Sequence, residues 1–264
     1  PASEDTAPAP ARAARDRLWV TGLPNVLTLA RRDLAALFLS PIAYVVGTLV
    51  IVPTSVFGYL LPLAAGGPVS MAGVFSWVAF SMAFLAPLVT MRLLAGERGA
   101  GTLEQLLAAP LRDWELIVGK WLAGFVCFLA ATAFTLAYVV LIAAQQPHGA
   151  AVDYGAVATG YLGLVLLGAA WVALGLLVSG LTGSQLVAAV AGIVVLLAFQ
   201  YLFGTLAGFV APPLSDLLEY VSAPDHAQSF DQGQVVLRDV VYFATLTIAP
   251  LVLATRVAAL RRSW

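Results

Sequence analysis

"GAVATGYLGLVLLGAAWVALGLLVS", Gly155–Ser179, decides the fold: 25 residues contain no charged side chain. A helix rising about 1.5 Å per residue makes this run long enough to cross the roughly 30 Å of a bilayer's hydrocarbon core. In hydrocarbon every backbone N–H and C=O must be satisfied internally, so a lone apolar run crosses as a helix. Five more runs share this character, and the six predicted spans cover about 42–61, 72–94, 114–142, 155–179, 185–209 and 240–260. Hydrophobic residues make up 61% of the chain, against roughly 45–50% in a soluble domain, and the mean hydropathy is +0.94. A soluble fold of 264 residues has no interior large enough to bury all six runs. The sequence predicts an all-α polytopic membrane protein with six transmembrane helices.

The basic residues predict the orientation. With both termini inside, Arg12, Arg15, Arg17, Arg31, Arg32, Arg92, Arg98, Arg112, Lys120, Arg256, Arg261 and Arg262 face the cytoplasm, and only Arg238 lies outside. This satisfies the positive-inside rule and predicts a multi-pass protein of the cell membrane, N-in and C-in. Asp153, Asp216, Glu219, Asp225, Asp231 and Asp239 then face outwards. No basic groove suited to nucleic acid is present. The single Cys127 excludes an intrachain disulfide.

Residues 1–24 open with an Ala/Pro-rich, charged stretch and read as a disordered cytoplasmic tail, with no signal peptide before the first span. The membrane domain is expected to fill 25–264. Residues 25–40, "NVLTLARRDLAALFLS", place Leu27, Ala30, Leu34 and Leu37 on one helical face and Arg31, Arg32 and Asp33 on the other. Pro41 disfavours a helix running on into the first span, so this stretch is expected to lie in the inner interface.

The only substantial cytoplasmic loop falls in "ERGAGTLEQLLAAPLRDWE", Glu97–Glu115, with six charged residues between two apolar runs. Its glycines end the second span. Thr102 with Gln105 makes a capping-box pattern, and Leu103, Leu106 and Leu107 form an apolar stripe on a short helix that Pro110 stops. An uncovered stripe of this kind is expected to meet a partner or the lipid surface.

Three stretches resemble one family, the type-2 ATP-binding-cassette (ABC-2) permeases. "ERGAGTLEQLLAAPLRDWELIVGKWLAGF" resembles that family's cytoplasmic loop, where an acidic residue precedes a G-T-x-E-x-L-x-x-x-P block followed by G-K. "LARRDLAALFLSPIAYVV" and "SAPDHAQSFDQGQVVLRDVVYF" resemble the first and last parts of the gliding-motility and nitrous-oxide-reductase-maturation branch. The resemblance implies a homodimeric or paired permease subunit whose loop helix docks on a separate cytoplasmic ABC ATPase. It also implies export, of a lipid-like or amphipathic substrate given the ion-poor interior. Glu97, Arg98, Gly101, Thr102, Leu103, Glu104, Leu106, Leu107 and Pro110 are the expected coupling residues, with Arg31, Arg32 and Asp33 on the interfacial helix. ATP and Mg would bind the partner, with no cofactor in this chain. A phosphate-binding loop needs G-x-x-x-x-G-K-[ST], whereas "WELIVGKW" has Trp114 and Trp121 at the first and last of those positions. The chain is therefore not expected to be an enzyme.

Other readings are weaker. An intramembrane protease needs a nucleophile and base in the bilayer, but Ser179 sits at an inner span end while His148 and His226 lie outside. Ion-coupled transport usually leaves ionisable groups at mid-membrane, and the polar groups there are Thr, Ser and Gln200. A non-transporting membrane component of an ATPase-driven assembly uses the same parts as an exporter. Ala188, Gly192, Gly204 and Gly208 on the fifth span allow close helix approach, within the subunit or to a second chain. Outside, Leu214, Leu217, Leu218 and Val221 predict a short surface helix. It would serve as packing, as an exit gate or as a platform for an extracytoplasmic accessory protein, with Asp225, His226 and Asp231 exposed beside it. One His and one acid do not make a metal site.

Overall fold

The computed structural model describes residues 22–67, 69–103, 106, 111–145 and 153–262. Every regular element among them is helical. Helix α1, Gly22–Phe38, ends at Leu39-Ser40, and a new helix starts at Pro41, whose missing N–H is harmless in a first turn. Six helices are long and apolar enough to cross a membrane: α2 (Tyr44–Ala64), α3 (Met71–Gly99), α4 (Asp113–Gln145), α5 (Tyr154–Leu181), α6 (Gln185–Ala207) and the first 24 residues of α9 (Leu237–Arg262). Two short helices, α7 (Leu214–Val221) and α8 (Ala223–Asp231), precede α9. The second of these was not visible in the sequence. The predicted helix ends also shift: α3 continues to Gly99, five residues past the expected end, and α4 breaks at Phe134–Thr135.

Helices α3 and α5 form the centre, with 61% and 67% of their apolar windows buried, against 28% for α2 and α6 and 17% for α9. Helices α3 and α4 pack closely on α5 because their large side chains meet its glycines. A Cβ at Gly160 would stand 2.1 Å from the Phe75 ring, and one at Gly168 would stand 2.2 Å from Phe128. Trp171, Phe128, Met82 and Leu85 are fully enclosed around them.

Three spans contain a widened π-turn: Thr54–Leu60 in α2, Arg92–Gly96 in α3 and Ala198–Leu202 in α6. In α3 the widening is caused by a side chain of α5. Ser179 Oγ of α5 donates to the Thr90 carbonyl at 2.8 Å and accepts the Ala95 N–H at 3.0 Å. The hydroxyl enters the helical ladder and satisfies both orphaned groups. Ser179 is thus a structural residue.

The two ends of the bundle differ in charge. One carries Arg31, Arg32, Arg92, Arg98, Arg112 and Arg256; the other carries Asp216, Glu219, Asp225, Asp231 and Asp239.

Candidate functional site

At the arginine-rich end, α1 lies along the first turns of α4, and the sequence makes that fit. A Cβ at Gly119 would stand 3.0 Å from the Leu29 side chain and 3.2 Å from the Val26 carbonyl, so glycine lets α1 approach without displacing either. Asn25 donates to the Glu115 carboxylate at 3.2 Å, and the same carboxylate caps α4 by accepting the Arg112 N–H at 3.1 Å. One residue beyond Gly119, Lys120 is fully buried; its Nζ lies 3.0 Å from Asp33 Oδ2 and 2.5 Å from Glu97 Oε2. Arg32 Nη2 lies 2.7 Å from Asp33 and 2.7 Å from Glu97. Four alternating charges therefore join α1, the end of α3 and the start of α4.

This corrects the expected facing of α1. Asp33 turns into the bundle with Val26, Leu29, Ala30 and Leu37, while Leu27 is exposed and Leu34 is half-buried. A lone acid would not be buried there; Lys120 provides the counter-charge. Arg31 and Arg32 remain on the outer side. Lys120 itself escaped sequence reasoning as a site, although it is the lysine of the quoted Gly-Lys pair.

Glu97 leads directly into the loop. Gly99 closes on the Gly183 carbonyl, with an added Cβ at 3.0 Å, and the Arg98 stem lies 3.5 Å from where a Cβ of Gly183 would be. Gly101 has φ +71°, a left-handed conformation that favours glycine, and turns the chain. Thr102, Leu103 and Leu106 are helical, and the Thr102 hydroxyl donates back to the Glu97 carbonyl at 3.2 Å. Leu103 is half-buried and lines a cleft with Leu94, Leu116, Ile117 and Val257. Leu106 is half-buried. Glu104, Gln105, Leu107 and Pro110 lie outside the described residues.

The four small residues of α6 divide. Ala188 is buried, Gly192 meets Pro87 of α3 (an added Cβ at 2.8 Å) and Gly204 meets Ser222 (2.8 Å), all within the chain. Gly208 is exposed. A different face of α6, with Leu186, Val187, Val190 and Val194, is open.

At the acidic end, α7 forms where the sequence expects it, with Leu214 and Leu217 exposed and Leu218 half-buried. The expected exposure of His226 is wrong. Its ring is 2% exposed, lies 2.7 Å from Asp239 Oδ1 and 2.9 Å from the Tyr220 carbonyl, and stacks on Tyr242 with centroids 3.9 Å apart. Ser229 donates to the other Asp239 oxygen at 2.6 Å. Asp239, 13 residues downstream on α9, draws the imidazole inwards and pins α8. Asp225 stays exposed, whereas burial pushes the Asp231 carboxyl up to about 6.

Beside this cluster two hollows open toward the acidic end, sharing Gln200, Tyr201, Pro224 and Asp225. Gln200 sits in the π-turn of α6, and its amide oxygen has no hydrogen-bond partner.

Six helices long and apolar enough to cross a membrane make this an all-α polytopic membrane protein. The sequence model for ABC-2 family transporter proteins matches residues 56–257, more than half of the chain, which therefore belongs to the ABC-2 family. It is also similar to the "Probable multidrug ABC transporter permease YbhR" of Escherichia coli strain K12, with 34% identity over 98 residues, and equally to that of strain O157:H7. The matched stretch is 37% of this chain and 25% of each relative.

Proposed function

We propose that this chain is the membrane subunit of an ATP-driven exporter whose motor, with its ATP and Mg, is a separate cytoplasmic ABC ATPase. The arginine-rich end faces the cytoplasm, as the positive-inside rule requires. The observation that carries the reading is the network of Arg32, Asp33, Glu97 and Lys120, which gathers three elements next to the loop of the family motif. Removing one member of a buried ion pair costs about 3–5 kcal/mol, because the remaining charge is left without water or partner. A push on the loop is therefore transmitted as a movement of α1, α3 and α4 together.

A second copy of the chain completes the passage, through the open face of α6, so the coupled movement changes the path between two permease subunits. The multidrug designation of the E. coli relatives and the ion-poor spans support a small amphipathic cargo. Leu214 and Leu217 of α7 rest on the outer lipid surface.

The test is membrane-stimulated ATP hydrolysis after reconstitution with a candidate partner ABC ATPase that binds this chain. Leu106→Asp and Glu104→Arg should each abolish stimulation while the permease remains folded and monodisperse. Full stimulation by a folded variant would refute the assignment of the loop.

A further inference from the structure

We infer that the two adjoining hollows at the acidic end form one binding site for an organic ammonium ion carrying an aromatic or aliphatic body. The exporter reading supplies only the role of such a site, a resting place for cargo near the exit; its chemistry stands on what lines it.

The size suits an organic molecule. The hollows measure about 540 and 650 Å³ and are open to solvent, within the roughly 300–1000 Å³ of pockets that hold drug-sized ligands. A bare metal ion has no seat here: among the described residues no three His, Cys, Asp or Glu side chains converge as ligands.

The floor calls for a hydrogen-bond donor. Gln200 is 6% exposed and lies seven residues from Ala207 at the end of α6, about 10 Å deep at the helical rise. Its unpartnered amide oxygen can only accept, and a buried acceptor left empty costs about 1–3 kcal/mol. A protonated amine provides the missing N–H together with a positive charge.

The walls call for that charge. Glu219, Asp225 and Asp231 line the hollows, and Arg238 on the same rim is already engaged, with its Nε 3.3 Å from Asp239. Asp231, raised to about 6 by burial, is ionised at neutral pH in a partly desolvated place, which a bound cation would relieve. Tyr201 and Tyr220 are exposed at the opening and Phe75 lies behind them, so π-faces are available to the cation and to an apolar body. An anion would meet three carboxylates, and a neutral body would leave the Gln200 oxygen empty.

The experiment uses the purified full chain in nanodiscs of neutral lipid, without the ATPase. Anisotropy titrations follow rhodamine 6G, a planar cation with N–H groups, against fluorescein, an anion of similar size. Saturable binding of rhodamine alone is expected at pH 7.5. It should weaken by about tenfold, the equivalent of roughly 1.4 kcal/mol, in Gln200→Leu and again in the Glu219→Gln/Asp225→Asn pair. The latter two residues are exposed, so the pair keeps its fold even if the Gln200 variant does not. Binding should also weaken as the pH falls from 7.5 to 5 and Asp231 takes up its proton. Absent saturable binding, equal binding of fluorescein, or affinity unchanged in the acid pair overturns the site. Failure here with intact ATPase stimulation removes only this inference. Binding that persists while the loop variants stimulate normally removes the coupling assignment instead.

Discussion

The two ends of the bundle use their charges differently. At the arginine-rich end, Asp33, Glu97 and Lys120 are drawn into the protein and neutralise one another, with Arg32 closing the ring from outside. At the acidic end only Asp239 is locked in this way, by His226 and Ser229, while Asp216, Glu219 and Asp225 stand exposed around the hollows. Charges that have spent their interactions on one another hold helices together; charges left facing a hollow remain available to something else. The first arrangement suits transmission of force, the second suits recognition.

Lys120→Met should break this contrast most severely. It leaves Asp33 buried and Glu97 half-buried against a methionine, with only Arg32 left to pair both, and a loss of about 3 kcal/mol is expected in thermal unfolding in detergent. Unchanged stability would mean that water, not Lys120, solvates these acids.

The locked pair at the other end is smaller. Asp239→Asn removes the charge that Ser229 and His226 address, and about 1–3 kcal/mol should be lost. Protease sensitivity should rise at α8 first, since that helix is pinned by the pair. Uniform sensitivity along the chain would show that α8 is held by its apolar contacts alone.

How far these ends could be read in advance follows from the range of each interaction. The spans were legible because a run of some 20 apolar residues carries its own reason to cross a membrane. The break at Ser40-Pro41 and helix α7 were legible too, being written in local residue types. The facing of α1 was not. Taken by itself, Asp33 belongs on the wet face beside Arg31 and Arg32. Its burial depends on Lys120, 87 residues away, and on a glycine that admits the helix. His226 was misread for the same reason, because Asp239 lies on another helix. The π-turn of α3 depends on Ser179, 89 residues from the carbonyl it binds. Of the expected coupling residues, Glu97 and Leu103 proved to have partners inside the chain that no local pattern announces.

Two gentler measurements sharpen the picture. In a Cys127→Ala background, a cysteine at Val190 or Val194, which are 54% and 62% exposed, should cross-link two copies of the chain under oxidation. Gly192→Cys should not, since Pro87 occupies that face. The reverse pattern would place the second copy elsewhere. The smallest effect concerns Asp231. Its folded carboxyl is raised from 3.8 to about 6, so the stability of the neutral form is fully present below pH 4 and lost as pH rises through 6. Asp231→Asn should therefore raise the unfolding temperature at pH 7.5 and leave it unchanged near pH 4. An equal shift at both values would assign the effect to packing.

The most direct test of the central account is a double-mutant cycle on membrane-stimulated ATP hydrolysis, using Glu97→Gln, Lys120→Met and the two combined, each assayed on monodisperse protein. If the buried network carries the movement from loop to spans, the double variant should lose no more stimulation than the more damaged single variant, because either change alone disconnects the same joint. Losses that multiply independently, or full stimulation in both single variants, would contradict it.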